Sequence, residues 1–310
     1  MTEEFRFDGE VAVITGAGNG LGRGYAWELA TRGAAVVCND VDAAAASRTA
    51  DEITAAGGRA VAETSSVATP EGGAAIVQAA LDSFGSVEIV VNNAGQLRPA
   101  PFEDMASADF EDVIATHLLG AFYVTQPAFR FMKDAGYGRV VFTSSSSGMF
   151  GSPWAANYAA AKTGMIGLNN VVSLEGAAHG IRSNVVMPQA LDTAMSAGRG
   201  PQPYPDDYLR EMMRAFKPFG RHTSVANVTP LVVYLAHRSC TRTQQIYSVG
   251  GGHVGRVFIG SAPGWSAPDR TLPRTEELVE HLDAASDVIG YGIMNSAIDE
   301  LVAMGRQLDT

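Results

Sequence analysis

Tyr158 and Lys162 stand four residues apart, thirteen residues after Ser145, in a chain that also carries the serine run Ser144 to Ser147. If the segment 154–178 is helical, the phenol and the ammonium share one face and reach the same small volume. A phenol titrates at about 10; a neighbouring cation stabilises the phenolate and brings proton exchange toward neutral pH. A serine hydroxyl beside them can hold a substrate oxygen in place. Together these side chains describe proton transfer at one oxygen. Singly, each has a plainer reading: a packed helical tyrosine, a solvated lysine, and three other serines that compete with Ser145.

A second cluster supplies a partner for that chemistry. The run Thr15-Gly16-Ala17-Gly18-Asn19-Gly20-Leu21-Gly22 follows an apolar stretch and opens a helical pattern, the context in which a glycine motif reads as a dinucleotide site. Gly16 permits a tight turn, Gly20 lets backbone approach a pyrophosphate, and Gly22 lets helix and strand pack closely. The helix start would turn amides and a partial positive charge toward the phosphates. The spacing is Gly-x-x-x-Gly-x-Gly, and a plain βα turn would need no ligand. Asp40 lies about twenty residues further on, where an acidic side chain accepts from the adenosine ribose hydroxyls and repels a 2′-phosphate. NAD is therefore expected over NADP. Asp42 suits a helix N-cap better than Asp40 does.

These residues need a scaffold that gathers them. Short apolar runs at 10–15, 35–39, 59–63, 87–91, 138–143, 181–187 and 245–248 alternate with helical patterns near 21–32, 42–56, 70–83, 107–133, 154–178 and 224–237. That alternation predicts an α/β fold, a Rossmann-type doubly wound parallel sheet of about seven strands covered on both faces. The stretch 188–222 is broken by five prolines and three glycines, although Asp206 to Phe216 can form a helix; it is expected to be a mobile substrate lid. We expect residues 1–250 to be one dinucleotide-binding domain. Residues 251–310, with helical segments near 275–283 and 292–305, are expected to extend it over the site or against a partner subunit.

The chain has 310 residues, 46% of them hydrophobic, and a net charge of −11 with pI about 5.0. This argues against a general nucleic-acid or anionic-membrane binder, which needs a basic footprint. No apolar run approaches the roughly 18 residues of a membrane helix. Met1 to Gly9 carry Glu3, Glu4 and Asp8 rather than a leader pattern, so a cytoplasmic location is expected. Two distant cysteines, Cys38 and Cys240, give neither a disulfide framework nor metal-ligand spacing.

Over residues 8–250 the chain resembles the short-chain dehydrogenase/reductase family. Thr15 to Gly22 matches its cofactor turn, Asn92-Asn93-Ala94-Gly95 the element that steadies the sheet beside the adenosine, and Ser145 its serine; Tyr158-Ala159-Ala160-Ala161-Lys162 is its Tyr-x-x-x-Lys signature. The resemblance implies catalytic roles for Ser145, Tyr158 and Lys162. It implies cofactor contacts at Gly16, Asn19, Gly20, Leu21, Gly22, Asp40, Ser66, Val67, Asn93, Ala94, Gly95, Tyr158, Lys162, Pro188 and Thr193. It also implies a homodimer or homotetramer built on the helices near 107–133 and 154–178.

Three positions depart from the pattern. His117 stands where the family usually has asparagine, and either joins a proton relay or simply bonds to backbone. Pro188-Gln189 replaces Pro-Gly, and Ser65 replaces the usual adenine-binding aspartate. His117, Tyr137-Gly138-Arg139, Ser145 to Gly151 and Ser248 to Gly252 are similar to the dehydrogenase modules of type 2 peroxisomal multifunctional enzymes, also described as 17β-hydroxysteroid dehydrogenases. That likeness implies oxidation of a 3-hydroxyacyl-CoA thioester with NAD, here expected in a free-standing dehydrogenase; for CoA, Arg98, Arg199, Arg210 and Arg214 are candidate phosphate partners, although surface arginines are usually just solvated. Met149, Phe150, Trp154, Met195, Tyr204, Tyr208, Met212 and Met213 would suit an apolar chain or a steroid, although such residues often only pack. A free hydroxysteroid or small alcohol, or a non-catalytic dinucleotide binder, are the competing readings.

Overall fold

A computed structural model of the chain describes residues 4–190, 204–220, 222–267 and 273–308. The Val/Ile-rich runs form strands β1 (Val11–Thr15), β2 (Ala35–Asn39), β3 (Arg59–Glu63), β4 (Ile89–Asn92), β5 (Gly138–Thr143), β6 (Ile181–Pro188) and β7 (Ile246–Gly250). They lie side by side in the order 3-2-1-4-5-6-7, every pairing parallel. All residues of β1, β2, β4 and β5 are buried, as strands covered on both faces must be.

An eighth strand, β8 (His253–Val257), continues the sheet beside β7, where the sequence patterns gave seven. The two residues between them, Gly251 and Gly252, have φ +60° and +80°, the backbone of a tight hairpin turn. Half-exposed and containing a glycine, β8 lacks the apolar run that betrays the other strands.

Helices α1 (Gly20–Thr31), α2 (Ala43–Ala55), α3 (Pro70–Phe84), α4 (Ser107–Ile114), α5 (Gly120–Ala135), α6 (Ser146–Phe150), α7 (Ala156–Gly176), α8 (Asp206–Phe216) and α9 (Thr229–Ala236) fall between the strands. Local chemistry sets their starts. Asp42 caps α2 by accepting from the Ala45 N–H at 3.1 Å, and Thr69 caps α3, with Pro70 at its first position. The expected helix over 107–133 is interrupted: Ala115–Leu119 form a wider π turn that carries His117.

The chain divides into two compact units, the second running from Val257 to Thr310. That second unit contains α10 (Thr275–Glu280), α11 (Leu282–Ala285) and α12 (Ala297–Leu308), and is pinned internally by an antiparallel bridge between Ser261 and Gly292. Among the described residues no helix is long and apolar enough to cross a membrane.

The sheet edge opposite the strands' carboxyl ends is tied by buried charge. The Arg139 guanidinium, 5% exposed, donates to the carbonyls of Gly138, Gly180, His237 and Arg238 at 2.8 to 3.1 Å and stacks over the Tyr137 ring at 4.5 Å. Buried Glu10 takes a two-pronged bond from Arg238 and a hydrogen bond from Tyr137. Removing the guanidinium strands several carbonyls away from water. Arg139→Ala should lower unfolding free energy by about 3 kcal/mol in chemical denaturation; a loss under about 1 kcal/mol would show that water replaces the arginine.

Candidate active site

In a doubly wound sheet, ligands bind beyond the carboxyl ends of the strands where the order reverses, here between β1 and β4. The loops that leave β1, β4, β5 and β6 at that end carry the predicted residues. After β1 the chain turns through Gly16 (φ +64°) and enters α1 at Gly20. A Cβ on Gly22 would lie 2.1 Å from the Gly16 carbonyl oxygen, and one on Gly16 would lie 2.9 Å from the Ala94 Cα. No other residue fits there. Asn19 does not cap α1 with its side chain, and the first turn holds no acidic residue, so its amides remain available to an anion.

Asn93, after β4, steadies this turn: its Nδ2 donates to the carbonyls of Thr15 (3.1 Å) and Gly16 (3.3 Å). Thr15 Oγ1 accepts from the N–H groups of Asn93 and Ala94, both at 3.0 Å. Asp40, just past β2, accepts from the Gly18 N–H through one oxygen and from the Asp42 N–H through the other, each at 3.0 Å. Its carboxylate is thus fixed beside the glycine turn, with lone pairs left for a diol. Ser66 and Val67 follow β3, Val67 buried against Gly120. A tight glycine turn, an anion-ready helix start and a fixed carboxylate at the switch point fit a dinucleotide.

The four serines separate by contact. Ser144 is buried and donates to the Lys162 carbonyl (2.8 Å), and Ser146 accepts from Gln189 Nε2 (2.6 Å). Ser145 caps α6 by accepting from the Ser147 N–H at 3.2 Å, and its hydroxyl favours ionisation of the Tyr158 phenol. Lys162, 2% exposed, points its Nζ at the Thr143 carbonyl and lies 5.5 Å from the centre of the Tyr158 ring. Burial pushes the Tyr158 phenol up to about 12, partly offset by the Ser145 hydroxyl, and pulls the Lys162 ammonium down to about 7. Both shifts disfavour charge, so an ammonium and a phenolate here form best as a pair.

His117 lies against this pair. Its ring meets the Tyr158 ring edge-on, 5.2 Å between centres at 90°, and its Nε2 lies within hydrogen-bond reach of the Gln96 backbone, 2.8 Å from the carbonyl and 2.9 Å from the N–H, the tautomer deciding which bond forms. A side chain on Gly95 would strike the imidazole, since its Cβ would sit 2.2 Å from Cε1. Burial, and then the Lys162 charge, hold His117 well below the usual imidazole range, so the ring is neutral near pH 7. His117 is thus bonded to backbone.

Some residues sit elsewhere than their expected roles suggest. Thr193, Met195 and Arg199 lie outside the described residues. Arg98 faces Asp112 (3.6 Å) and Asp109 (3.9 Å), which neutralise it as a phosphate partner. Asn157 was not singled out from sequence, yet it is fully buried: its Oδ1 accepts from the Tyr158 N–H, and its Nδ2 donates to the carbonyls of Arg98 and Asp109. An amide on a buried face immediately before the tyrosine is the signal that could have found it.

A family model described as short chain dehydrogenase matches residues 10–203. The chain belongs to this family and is an oxidoreductase that binds a nicotinamide dinucleotide. It is 38% identical over 288 residues to mouse peroxisomal multifunctional enzyme type 2, covering 90% of this chain and 37% of that protein. A short-chain type dehydrogenase/reductase of Mycobacterium tuberculosis is 42% identical over 259 residues, covering 80% of this chain and 85% of that one. Among solved structures, full-length peroxisomal multifunctional enzyme type 2 from Drosophila melanogaster superposes with a TM-score of 0.77 at 34% identity, over 98% of this chain and 49% of that chain. The chain spans under half the length of both multifunctional enzymes.

The lowered ammonium has a consequence for stability. Between about 7 and the ordinary 10.5, the unfolded chain holds a proton that folded Lys162 has released, so this group makes stability rise with pH across that window. Lys162→Met should lose that component: its stability advantage, measured by denaturation at pH 7 to 10, shrinks as pH climbs. Parallel slopes for the two proteins would show that the ammonium is solvated in solution.

Proposed function

We propose that this short-chain dehydrogenase oxidises a secondary alcohol to a ketone with NAD, and that its substrates are 3-hydroxyacyl-CoA thioesters. The observation that carries the chemistry is the convergence of Ser145, Tyr158 and Lys162 at the carboxyl ends of the strands, beside the glycine turn. Ser145 holds the alcohol oxygen. Tyr158, as phenolate, takes the hydroxyl proton while the carbinol C–H bond breaks and the C=O bond forms. Lys162 stabilises the phenolate through space. When bound, the nicotinamide supplies the hydride acceptor. The carboxylate of Asp40 favours a ribose diol and repels a 2′-phosphate, which supports NAD over NADP.

The acyl-CoA assignment is supported by the likeness to proteins named multifunctional enzymes. Arg210 and Arg214, exposed one turn apart on α8, are the phosphate partners this reading assigns. The exposed apolar side chains Phe110, Phe122 and Phe131 on α4 and α5, and Val171 and Leu174 on α7, favour a second copy of this chain as their cover.

Tyr158→Phe should bind NADH as wild type does yet lose kcat by about a thousandfold or more; retained turnover would reject the assignment. Oxidation by wild type should speed up as pH rises through neutrality and ketone reduction should slow, because the phenol must first lose a proton that burial makes it hold. A kcat/KM comparison of NAD with NADP tests Asp40, and equal values would reject its role. A 3-hydroxyacyl-CoA should exceed its CoA-free analogue in kcat/KM; a free hydroxysteroid turned over as well as the thioester would replace the acyl-CoA reading.

A further inference from the structure

Trp154 holds a left-handed backbone, φ +62°, which glycine adopts freely and a bulky L residue resists. Only Gln244 shares this among the described non-glycine residues. Backbone bonding explains the turn and not the side chain: the Trp154 carbonyl accepts from the Ala100 N–H at 3.0 Å, a bond that any residue can make. The indole has its own partners. It meets the Tyr208 ring at 5.0 Å and 63° and the Tyr204 ring at 5.8 Å and 81°, while the two tyrosines lie 5.6 Å apart. The Tyr208 hydroxyl shares a 2.9 Å hydrogen bond with Ser152, fixing its angle. All three rings remain partly exposed.

Trp154 lies four residues before Tyr158, in the turn that leads into α7. Tyr204 is near enough that its hydroxyl adds to the upward push on the Tyr158 phenol. A tolerated backbone strain at the mouth of a reactive site calls for a gain elsewhere, and flat rings held at fixed angles favour a flat, rigid ligand that loses little freedom on stacking.

We infer that Trp154, Tyr204 and Tyr208 form a specificity wall that selects alcohols bearing a rigid, apolar ring system next to the carbinol carbon. The inference rests on the alcohol dehydrogenase reading above. Within that reading, a thioester whose acyl part carries rings is preferred to a straight chain.

The test uses the full chain with NAD and three alcohols that share one reacting group, 2-propanol, 2-octanol and 1-(2-naphthyl)ethanol, together with the Kd of the matching ketones in the presence of NADH. Wild type should prefer the naphthyl compound, and Trp154→Gly should cut the naphthyl-to-octyl ratio of kcat/KM by about tenfold or more, with no fall in melting temperature because glycine accepts the turn. Tyr208→Ala should act likewise, whereas Tyr208→Phe should keep most of the preference. An unchanged ratio in Trp154→Gly, or an equal loss on every alcohol, would overturn the wall. If wild type turns over none of them, turnover of a 3-hydroxyacyl-CoA judges the assigned reaction, and the naphthyl ketone Kd decides the wall, a weaker Kd in Trp154→Gly upholding it and an equal one overturning it.

Discussion

A lysine ammonium is buried beneath a tyrosine ring, and the rest of the site is arranged around that cost. Lys162 is almost inaccessible to water, and its Nζ has the Thr143 carbonyl as its oxygen partner. One carbonyl does not replace a hydration shell, so the charge is held weakly. A phenolate would complete its surroundings, and only Tyr158 is placed to supply one. In the proposed mechanism the lysine and the tyrosine titrate as a unit, as a proton acceptor working near neutrality would require.

The fold makes this arrangement rigid. Ser144 ties the end of β5 to α7 through the Lys162 carbonyl, and Asn157 ties the start of α7 to the backbone of Arg98 and Asp109. From the other side, the π turn in the α4–α5 connection brings His117 edge-on to Tyr158, and Gly95 leaves the room it needs. The proposed reactive groups thus sit on one helix and a strand end, held by backbone bonds. Precision of this kind is harder to hold on a free loop.

Much of this was legible in the residues. The buried parallel strands announced themselves as Val/Ile runs, and β2, β3 and β5 have the limits that those runs gave. The glycine turn was legible because close backbone approach leaves few alternatives to glycine. What stayed hidden depends on tertiary contact. No local pattern separates Ser145 from Ser144 and Ser146; partners on α7 and β6 do. The π turn arises from the packing of His117 against the β4 loop, while β8 hides behind three successive glycines. The left-handed backbone at Trp154 contradicts local preference, so sequence reading began that helix two residues early.

The central claim is that the Lys162 charge governs the Tyr158 phenol, and titration of tyrosinate absorbance in the NADH complex tests it most directly. Subtracting the Tyr158→Phe spectrum isolates the one phenol. Its pKa should lie at least about one unit lower in wild type than in Lys162→Met. Equal values in the two proteins would contradict the account.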